Sequence, residues 1–159
     1  MTTDHWLADF QTSFAQAATD LNLQTLDRLV DFYVPEALFV DPFAQLRGRA
    51  AIRASYRSML VNLHGAHFVC EDWAQLKTSG PSPETMLTWQ FRFKVRSNTP
   101  EVCILGASRL RFDADRRAIA FHQDYWDGSA LLEVLPAVGW LVRGLKKRVA
   151  NASHVMEKS

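Results

Sequence analysis

The sequence predicts one α+β domain in which helices come first, a curved antiparallel sheet follows, and one more helix ends the chain. Apolar residues recur at helical spacing up to Leu63, and from Ala66 to Asp115 the pattern changes to the alternation typical of strands. The chain has 159 residues, 48% of them hydrophobic, so it can bury a core of its own. Helices packed on one face of the sheet would share that core.

Three helices are expected before the long strands. The first carries an apolar stripe at spacings of three and four, namely Trp6, Phe10, Phe14, Ala17 and Leu21. The second extends from Leu26 to Tyr33 and ends at Pro35, because proline cannot continue the helical hydrogen bonds. A short strand from Ala37 to Val40 comes next. Gly48 then precedes the third helix, whose stripe is Ile52, Tyr56, Met59 and Leu63.

Three long strands are expected next, joined by short turns that favour antiparallel pairing. In the clearest one, polar residues alternate with the apolar residues Leu87, Trp89, Phe91, Phe93 and Val95. The second extends from Val102 to Phe112, and the third from Ala118 to Trp126. A last helix is expected from Ser129 to Val149, with interruptions at Pro136 and Gly139.

The composition excludes several classes of protein. A net charge of +1 argues against a general nucleic-acid binder, and no apolar run reaches the roughly 18 residues of a membrane-spanning helix. The segment from Met1 to Leu7 lacks the basic and apolar regions of a signal peptide, so a cytoplasmic protein is expected. Cys70 and Cys103 form no CxxC pair and are expected to be reduced residues of the core.

The last strand carries a candidate pair for proton transfer. Alternation places on one face His122, Asp124 and Trp126, and on the other Ile119, Phe121, Gln123 and Tyr125. If the first face points inward, an imidazole and a carboxylate share a pocket wall and can exchange protons. If it points outward, both are solvated polar residues. Alternation alone slightly favours the outward arrangement, because the other face is more apolar.

Asp41, which ends the short strand beside Pro42, is a further candidate. A carboxylate there can serve as a general base beside an aromatic-rich sheet, or the Asp-Pro pair can simply form a turn.

His64 and His67 have the spacing of a metal-binding pair. The three or four convergent ligands of a metal site are missing, so no metal is expected. No GxSxG, Walker or GxGxxG motif occurs, and no cofactor is expected.

The C-terminal segment is basic and amphipathic. Its cations are Arg143, Lys146, Lys147 and Arg148. Such a helix can lie on an anionic membrane surface, or it can pack on the protein while its cations complement the helix dipole. The second interpretation is favoured, because dipole complementation is common and interfacial anchors are few.

Two stretches of the chain resemble a known superfamily. One is Val40-Asp41-Pro42-Phe43 with Gly48-Arg49, Ile52 and Tyr56-Arg57, and the other is His122-Gln123-Asp124-Tyr125-Trp126-Asp127. They are similar to the nuclear transport factor 2-like superfamily, and within it to SnoaL-like and ketosteroid isomerase-like proteins. The resemblance implies a cone-shaped α+β barrel with a concave pocket lined by the face that carries Asp124. It also implies a homodimer formed through the outer face of the sheet.

The resemblance implies roles for individual residues as well. Asp41 matches the catalytic base of ketosteroid isomerase, and Tyr56 matches a tyrosine of its hydrogen-bond network. Asp124 matches a catalytic carboxylate of limonene epoxide hydrolase and SnoaL-like cyclases. Three departures speak against those two particular reactions: the first helix has no tyrosine, Ser108 stands where ketosteroid isomerase has a protonated aspartic acid, and no Arg-x-Asp pair faces the last strand.

The sequence therefore predicts acid–base chemistry of an isomerase, cyclase or hydrolase type on an apolar, cyclic or polyketide-like molecule. Asp41 and Asp124 are the expected acid and base, assisted by His122 and Tyr56. The expected substrate-binding residues are Trp126, Phe43, Trp89, Phe91, Phe93, Phe14 and Ser108. The alternative is a non-catalytic small-molecule-binding or protein-interaction module. The expected boundaries are 1–127 for the domain, 128–150 for a helical extension and 151–159 for a flexible tail.

Overall fold

A computed structural model describes residues 3–77 and 80–134 of the chain. In chain order, its elements are α1 (Thr3–Thr19), α2 (Leu26–Val30), β1 (Tyr33–Val40), β2 (Gln45–Arg47), α3 (Arg49–Asn62), β3 (His64–Leu76), β4 (Glu84–Lys94), β5 (Val102–Asp113), β6 (Ala118–Trp126) and α4 (Gly128–Val134). The chain forms two compact units, Met1–Trp126 and Asp127–Ser159. The first unit contains the sheet and the first three helices, which confirms the predicted α+β class.

The six strands form one curved, open sheet in the order β2-β1-β6-β5-β4-β3. Strands β3 to β6 pair antiparallel with their sequence neighbours, as their short connections require. The parallel pairing of β1 with β6 was not predicted. It joins segments from opposite ends of the sheet-forming region, and no local pattern in the sequence reports such a contact.

The second helix is shorter than predicted, and Tyr33 is not part of it. Helix α2 ends at Val30, and Tyr33 is the first residue of β1, where it is fully buried. Pro35 therefore lies inside a strand instead of ending a helix. The pairing of β1 with β6 shifts register between Tyr33 and Leu38, and such an irregularity accommodates a residue that has no N–H to donate.

The two faces of β6 differ from the predicted alternation at one residue. The pairing of β5 with β6 shifts register between Arg111 and Phe112, so that Ile119 pairs with Phe112 and Phe121 pairs with Arg111. Ile119 is consequently buried in the core. The Arg111 guanidinium lies over the Phe121 ring, 5.1 Å from the ring centroid. The prediction that Ile119 shares the face of Phe121 was wrong, because a bulge resets the alternation.

The core lies between the sheet and the predicted stripe of α1. Phe10 packs edge-on against Phe112 with ring centroids 4.9 Å apart, and Phe14 packs edge-on against Trp73 at 6.0 Å. Edge-to-face contacts of this kind add to the free energy gained by burying the rings. Many of the aromatic residues in the sequence therefore serve the core of the domain.

Helix α3 begins after Gly48 as predicted and buries Ile52 completely. Helix α4 covers the start of the expected last helix, whereas the basic residues of that segment lie outside the described part of the chain. Among the described residues, no helix is both long and apolar enough to cross a membrane.

Candidate functional site

The HxD pair of β6 lies on the concave side of the sheet. His122 is 4% exposed, and the Asp124 side chain is 13% exposed. Both residues line a cavity of about 30 Å³. The wall is built by all three N-terminal helices and by strands β3 to β6, and it consists of Phe14, Ala18, Leu29, Tyr56, Phe68, Cys70, Leu87, Trp89, Ser108, His122 and Asp124. Such a volume holds about two water molecules, so a larger guest enters only if wall side chains move.

A chain of hydrogen bonds fixes the Asp124 carboxylate. The Ser108 hydroxyl donates to Asp124 Oδ1 at 2.5 Å, and the Trp89 indole N–H donates to Ser108 Oγ at 2.8 Å. His122 Nε2 lies 2.6 Å from the same Oδ1, and His122 Nδ1 lies 2.7 Å from the Tyr33 hydroxyl. Within the described residues, Asp124 Oδ2 has no hydrogen-bond partner, so one oxygen of the carboxylate is anchored and the other is not.

This arrangement differs from a nucleophilic serine triad. In such a triad a histidine stands between the serine and the carboxylate, so that it can take the serine proton. Here His122 Nε2 lies 3.1 Å from Ser108 Oγ, but the Ser108 hydroxyl donates directly to Asp124, and the Nδ1 side of His122 faces Tyr33 instead of an acid. Ser108 is therefore suited to hold the carboxylate and not to attack a substrate.

Two phenols lie beside the carboxylate, the fully buried Tyr33 and the partly buried Tyr56. Burial, together with the nearby charge of Asp124, raises the pKa of Tyr56 far above its ordinary value. Burial also raises the pKa of Tyr33, whose hydroxyl interacts with that of Tyr56. Both phenols consequently keep their protons at any physiological pH and can act as hydrogen-bond donors.

Gly106 gives Trp89 its place in the wall. The two residues are register partners on β5 and β4, and the Trp89 indole lies against the Gly106 backbone. A Cβ atom at this position would lie 2.2 Å from Cη2 of the indole, which is far inside van der Waals contact. Glycine is therefore needed for close approach, a common reason for glycine within a strand. The glycine within β5 is the sequence signal that could have indicated this contact, although it could not have identified the partner.

The Asp41 motif forms a turn near the site. Asp41 Oδ1 accepts hydrogen bonds from the backbone N–H groups of Phe43 and Ala44, each at 2.7 Å. The charge of Asp41 contributes to the raised pKa of Tyr56, but Asp41 is not part of the cavity wall. Phe43 is 54% exposed and packs edge-on against Trp126 with ring centroids 5.4 Å apart.

The predicted site residues thus fall into two groups. Six of them lie around one cavity, namely Phe14, Tyr56, Trp89, Ser108, His122 and Asp124. The remaining predicted residues lie outside the wall, and of these Phe91 stacks on Phe68 while Phe93 is buried without lining the cavity. Among the described residues, no cluster of three or more His, Cys, Asp or Glu side chains could hold a metal ion.

Sequence reasoning missed part of the wall and its support. Four missed wall residues are ordinary apolar side chains, and only the packing of their helices and strands turns them toward the cavity. They are Phe68, Leu87, Leu29 and Ala18. Tyr33 was assigned to a helix. Cys103 was expected in the core, but it lies exposed on β5, on the outer face of the sheet.

Cys70 offers a simple check on the wall. Burial raises the pKa of its thiol to about 11, so roughly one molecule in a thousand carries a thiolate at pH 8. In a Cys103→Ser variant, we expect a disulfide reagent to modify Cys70 at pH 8 far more slowly in the folded protein than in the unfolded protein. The absorbance of the released thiol measures both rates, and equal rates would show that the fold does not shield the Cys70 thiol.

Comparisons with known proteins agree on the fold. The sequence model of the SnoaL-like domain matches residues 14–121, and no curated protein matches the chain. A hypothetical protein with a ketosteroid isomerase-like fold from Catenulispora acidiphila, solved in complex with trimethylamine, is 18% identical. Its TM-score is 0.62, over 82% of this chain and 92% of that chain.

Two other solved structures extend the comparison. A candidate SnoaL-like polyketide cyclase from Shewanella putrefaciens is 16% identical, with a TM-score of 0.59 over 78% of this chain and 91% of that chain. TerC, co-crystallised with polyporic acid, is 9% identical, with a TM-score of 0.64 over 81% of this chain and 97% of that chain. At these identities the likeness shows the fold alone.

Proposed function

The chain belongs to the family of SnoaL-like domains, and from that premise we propose that it binds an apolar small molecule beside Asp124 and transfers a proton on it. One observation carries the proposal. Asp124 stands in a largely apolar wall with Oδ1 held by two groups and Oδ2 left without a partner among the described residues. A fixed carboxylate with one unengaged oxygen in such a wall is suited to general acid–base catalysis.

The proposed reaction begins at a carbon next to a carbonyl group. The Asp124 carboxylate takes a proton from that carbon, the electron pair of the C–H bond moves to the carbonyl oxygen, and an enolate forms. The Tyr56 hydroxyl stabilises the enolate oxygen by donating a hydrogen bond. If the ligand is a β,γ-unsaturated ketone, the enolate is conjugated, and return of the proton from Asp124 to its γ carbon gives the conjugated isomer. If the ligand has a second carbonyl, the enolate carbon attacks it to form a C–C bond, and the resulting alkoxide takes the proton from Asp124, which gives a ring.

The other predicted residues have supporting places in this proposal. His122 assists by holding Asp124, and Asp41 is a second carboxylate near Tyr56. The apolar body of the ligand would contact the aromatic part of the wall. Trp126 and Phe43, which pack against each other next to the Asp41 turn, would contact its outer end. An aromatic or polyketide-like ligand is supported by two proteins of the same fold, a candidate polyketide cyclase and a protein bound to polyporic acid.

A second candidate function is ligand binding without catalysis. Two observations favour it: the cavity is small, and both carboxylates already accept hydrogen bonds, Asp124 from side chains and Asp41 from the backbone of its own turn. A binding module on this fold would be stabilised by a ligand and would leave the ligand chemically unchanged.

A thermal-shift screen with cyclic ketones, aromatic polyketides, terpenoids and fatty acids tests the binding part. A ligand at 100 times its dissociation constant stabilises the protein by about 2.7 kcal/mol. Ala18→Leu fills the cavity from α1 and should abolish the shift, whereas Ala8→Leu makes the same change on the exposed side of α1 and should keep it. Equal shifts in both variants would place the ligand elsewhere.

We also propose that the outer face of the sheet joins two copies of the chain. Leu105 is 67% exposed and Tyr125 46%, and they lie on the adjacent strands β5 and β6. Val69 on β3 is exposed as well and pairs with Gln90, the register partner of Leu105. These apolar side chains lie on one face of the sheet, with Gln90 between Val69 and Leu105, and a second copy related by a twofold axis can cover them with its own.

Leu105→Asp should convert the dimer to a monomer, because the interface would then bury two unpaired carboxylates. Light scattering coupled to gel filtration should give twice the chain mass for the wild type and the single chain mass for the variant. Leu23→Asp, at another exposed leucine, is the matched control and should remain dimeric. A wild type with the single chain mass would disprove the proposed dimer.

A further inference from the structure

Tyr33 occupies a position behind the site that no part of the proposed chemistry uses. It is fully buried at the start of β1, and it is not in the cavity wall. Its ring is nearly parallel to the His122 imidazole, with centroids 5.8 Å apart, and its hydroxyl lies 2.7 Å from His122 Nδ1. In the parallel pairing of β1 with β6, Tyr33 is the register partner of Ile119 and Phe39 that of His122, so Tyr33 lies on the strand next to His122.

The protons of this cluster can be placed one by one. The Trp89 indole nitrogen can only donate, so Ser108 Oγ accepts from it, and the single Ser108 hydroxyl proton goes to Asp124 Oδ1 at 2.5 Å. An ionised carboxylate can only accept. Opposite an ionised Asp124, His122 Nε2 carries a proton, because it lies 2.6 Å from Asp124 Oδ1 and 3.1 Å from Ser108 Oγ, whose own proton already goes to Asp124.

The other imidazole nitrogen decides the charge of the ring. If Nδ1 is bare, the Tyr33 hydroxyl donates to it and the ring is neutral; if Nδ1 is protonated, the ring is a cation and donates to Tyr33. The His122 side chain is 5% exposed and packs against the Phe39 ring at 4.6 Å. The Asp124 carboxylate favours a charged imidazolium, whereas burial favours the neutral ring, and so does the Tyr33 hydroxyl, which can donate its one proton to Nδ1 while accepting from Tyr56.

We infer that Tyr33 is a positioning residue that holds His122 as the neutral tautomer with its proton on Nε2, and so commits Asp124 Oδ1 to His122 and Ser108. Neither ring nitrogen is then available to a ligand, so Asp124 Oδ2 is the one atom of the pair that exchanges a proton with it. This last consequence rests on the proposed function, whereas the tautomer and the role of Tyr33 do not.

Long-range ¹H–¹⁵N correlation spectra of the ¹⁵N-histidine-labelled protein at pH 7 test the inference. His122 should show one protonated nitrogen, Nε2, and one bare nitrogen, Nδ1, in the wild type. Two protonated nitrogens, or a proton on Nδ1 alone, would overturn the assignment, and this readout needs neither a variant nor a substrate.

Tyr33→Phe tests the role of the hydroxyl, because it keeps the stacked ring and removes only the donor. The Nδ1 resonance should move toward the position of a bare nitrogen without a hydrogen bond. Tyr56→Phe, which removes a neighbouring hydroxyl that does not bond to Nδ1, should move it much less. Equal shifts in both variants, or no shift in Tyr33→Phe, would refute the role given to Tyr33. If the spectra are as expected but Asp124→Asn does not affect proton transfer, the proposed function fails and the tautomer stands.

Discussion

Replacing Asp124 with asparagine is expected to lower protein-catalysed proton transfer by at least about 100-fold, since general acid–base groups contribute about 10²–10⁴-fold. The amide cannot accept the proton, but its oxygen can still accept the hydrogen bonds of Ser108 and His122, so the fold should persist. The measurement is deuterium incorporation from heavy water into 2-tetralone, a cyclic ketone with an aromatic body, followed by mass spectrometry.

The control for this experiment is Asp72→Asn, which neutralises an exposed carboxylate on β3. Its exchange rate should equal that of the wild type. The corresponding Asp41→Asn variant shows whether the second carboxylate takes part, because a fall in rate as large as that of Asp124→Asn would make the two an acid–base pair. A wild type that binds ketones without exchanging their protons would favour the non-catalytic binding module.

Gly106→Ala is expected to destabilise the protein by about 2–4 kcal/mol. Overpacking of this kind costs about 1–3 kcal/mol, and loss of the hydrogen bond from Trp89 to Ser108 adds about 0.5–1.5 kcal/mol. For a domain of this size, the melting temperature should fall by roughly 5–15 °C. Urea denaturation followed by tryptophan fluorescence and circular dichroism measures the free energy of unfolding.

Gly80→Ala is the matched control, because a methyl group there meets no atom within 4 Å, and its effect should stay within about 0.5 kcal/mol. The cost of Gly106→Ala should also shrink when Trp89 is first replaced with leucine, since the clash is with the indole ring. Equal losses in the two glycine variants, or an unchanged loss in the Trp89→Leu background, would show that the contact is not tight.

The candidate site was predictable where its residues lie on regular elements. Alternation along β6 placed His122 and Asp124 on one face, and the resemblance to a known superfamily indicated that this face is concave. Helical spacing in α3 placed Tyr56 in a buried stripe. These signals are local, since each depends on residues a few positions apart, and regular periods of two and of three to four residues report them well.

The rest of the site depends on contacts between residues far apart in the sequence, which no local hydrophobic pattern indicates. Tyr33 fits the spacing of a short helix by coincidence, and only its pairing with β6 shows that it begins a strand. The bulge before Phe121 reverses the alternation at Ile119 without any glycine or proline to mark it. The contact of Gly106 with Trp89 depends on the register between two strands, which the sequence leaves open.

The structure of the wild-type protein with a bound ketone tests the central proposal most directly. In that structure, the carbon next to the carbonyl should lie within about 3.5 Å of the Asp124 carboxylate, the distance from which a proton can be transferred. The apolar body of the ligand should contact Phe14 and Phe68. A ketone bound elsewhere, such as in the surface groove between α1 and α2 beside Gln16 and Arg28, would contradict it.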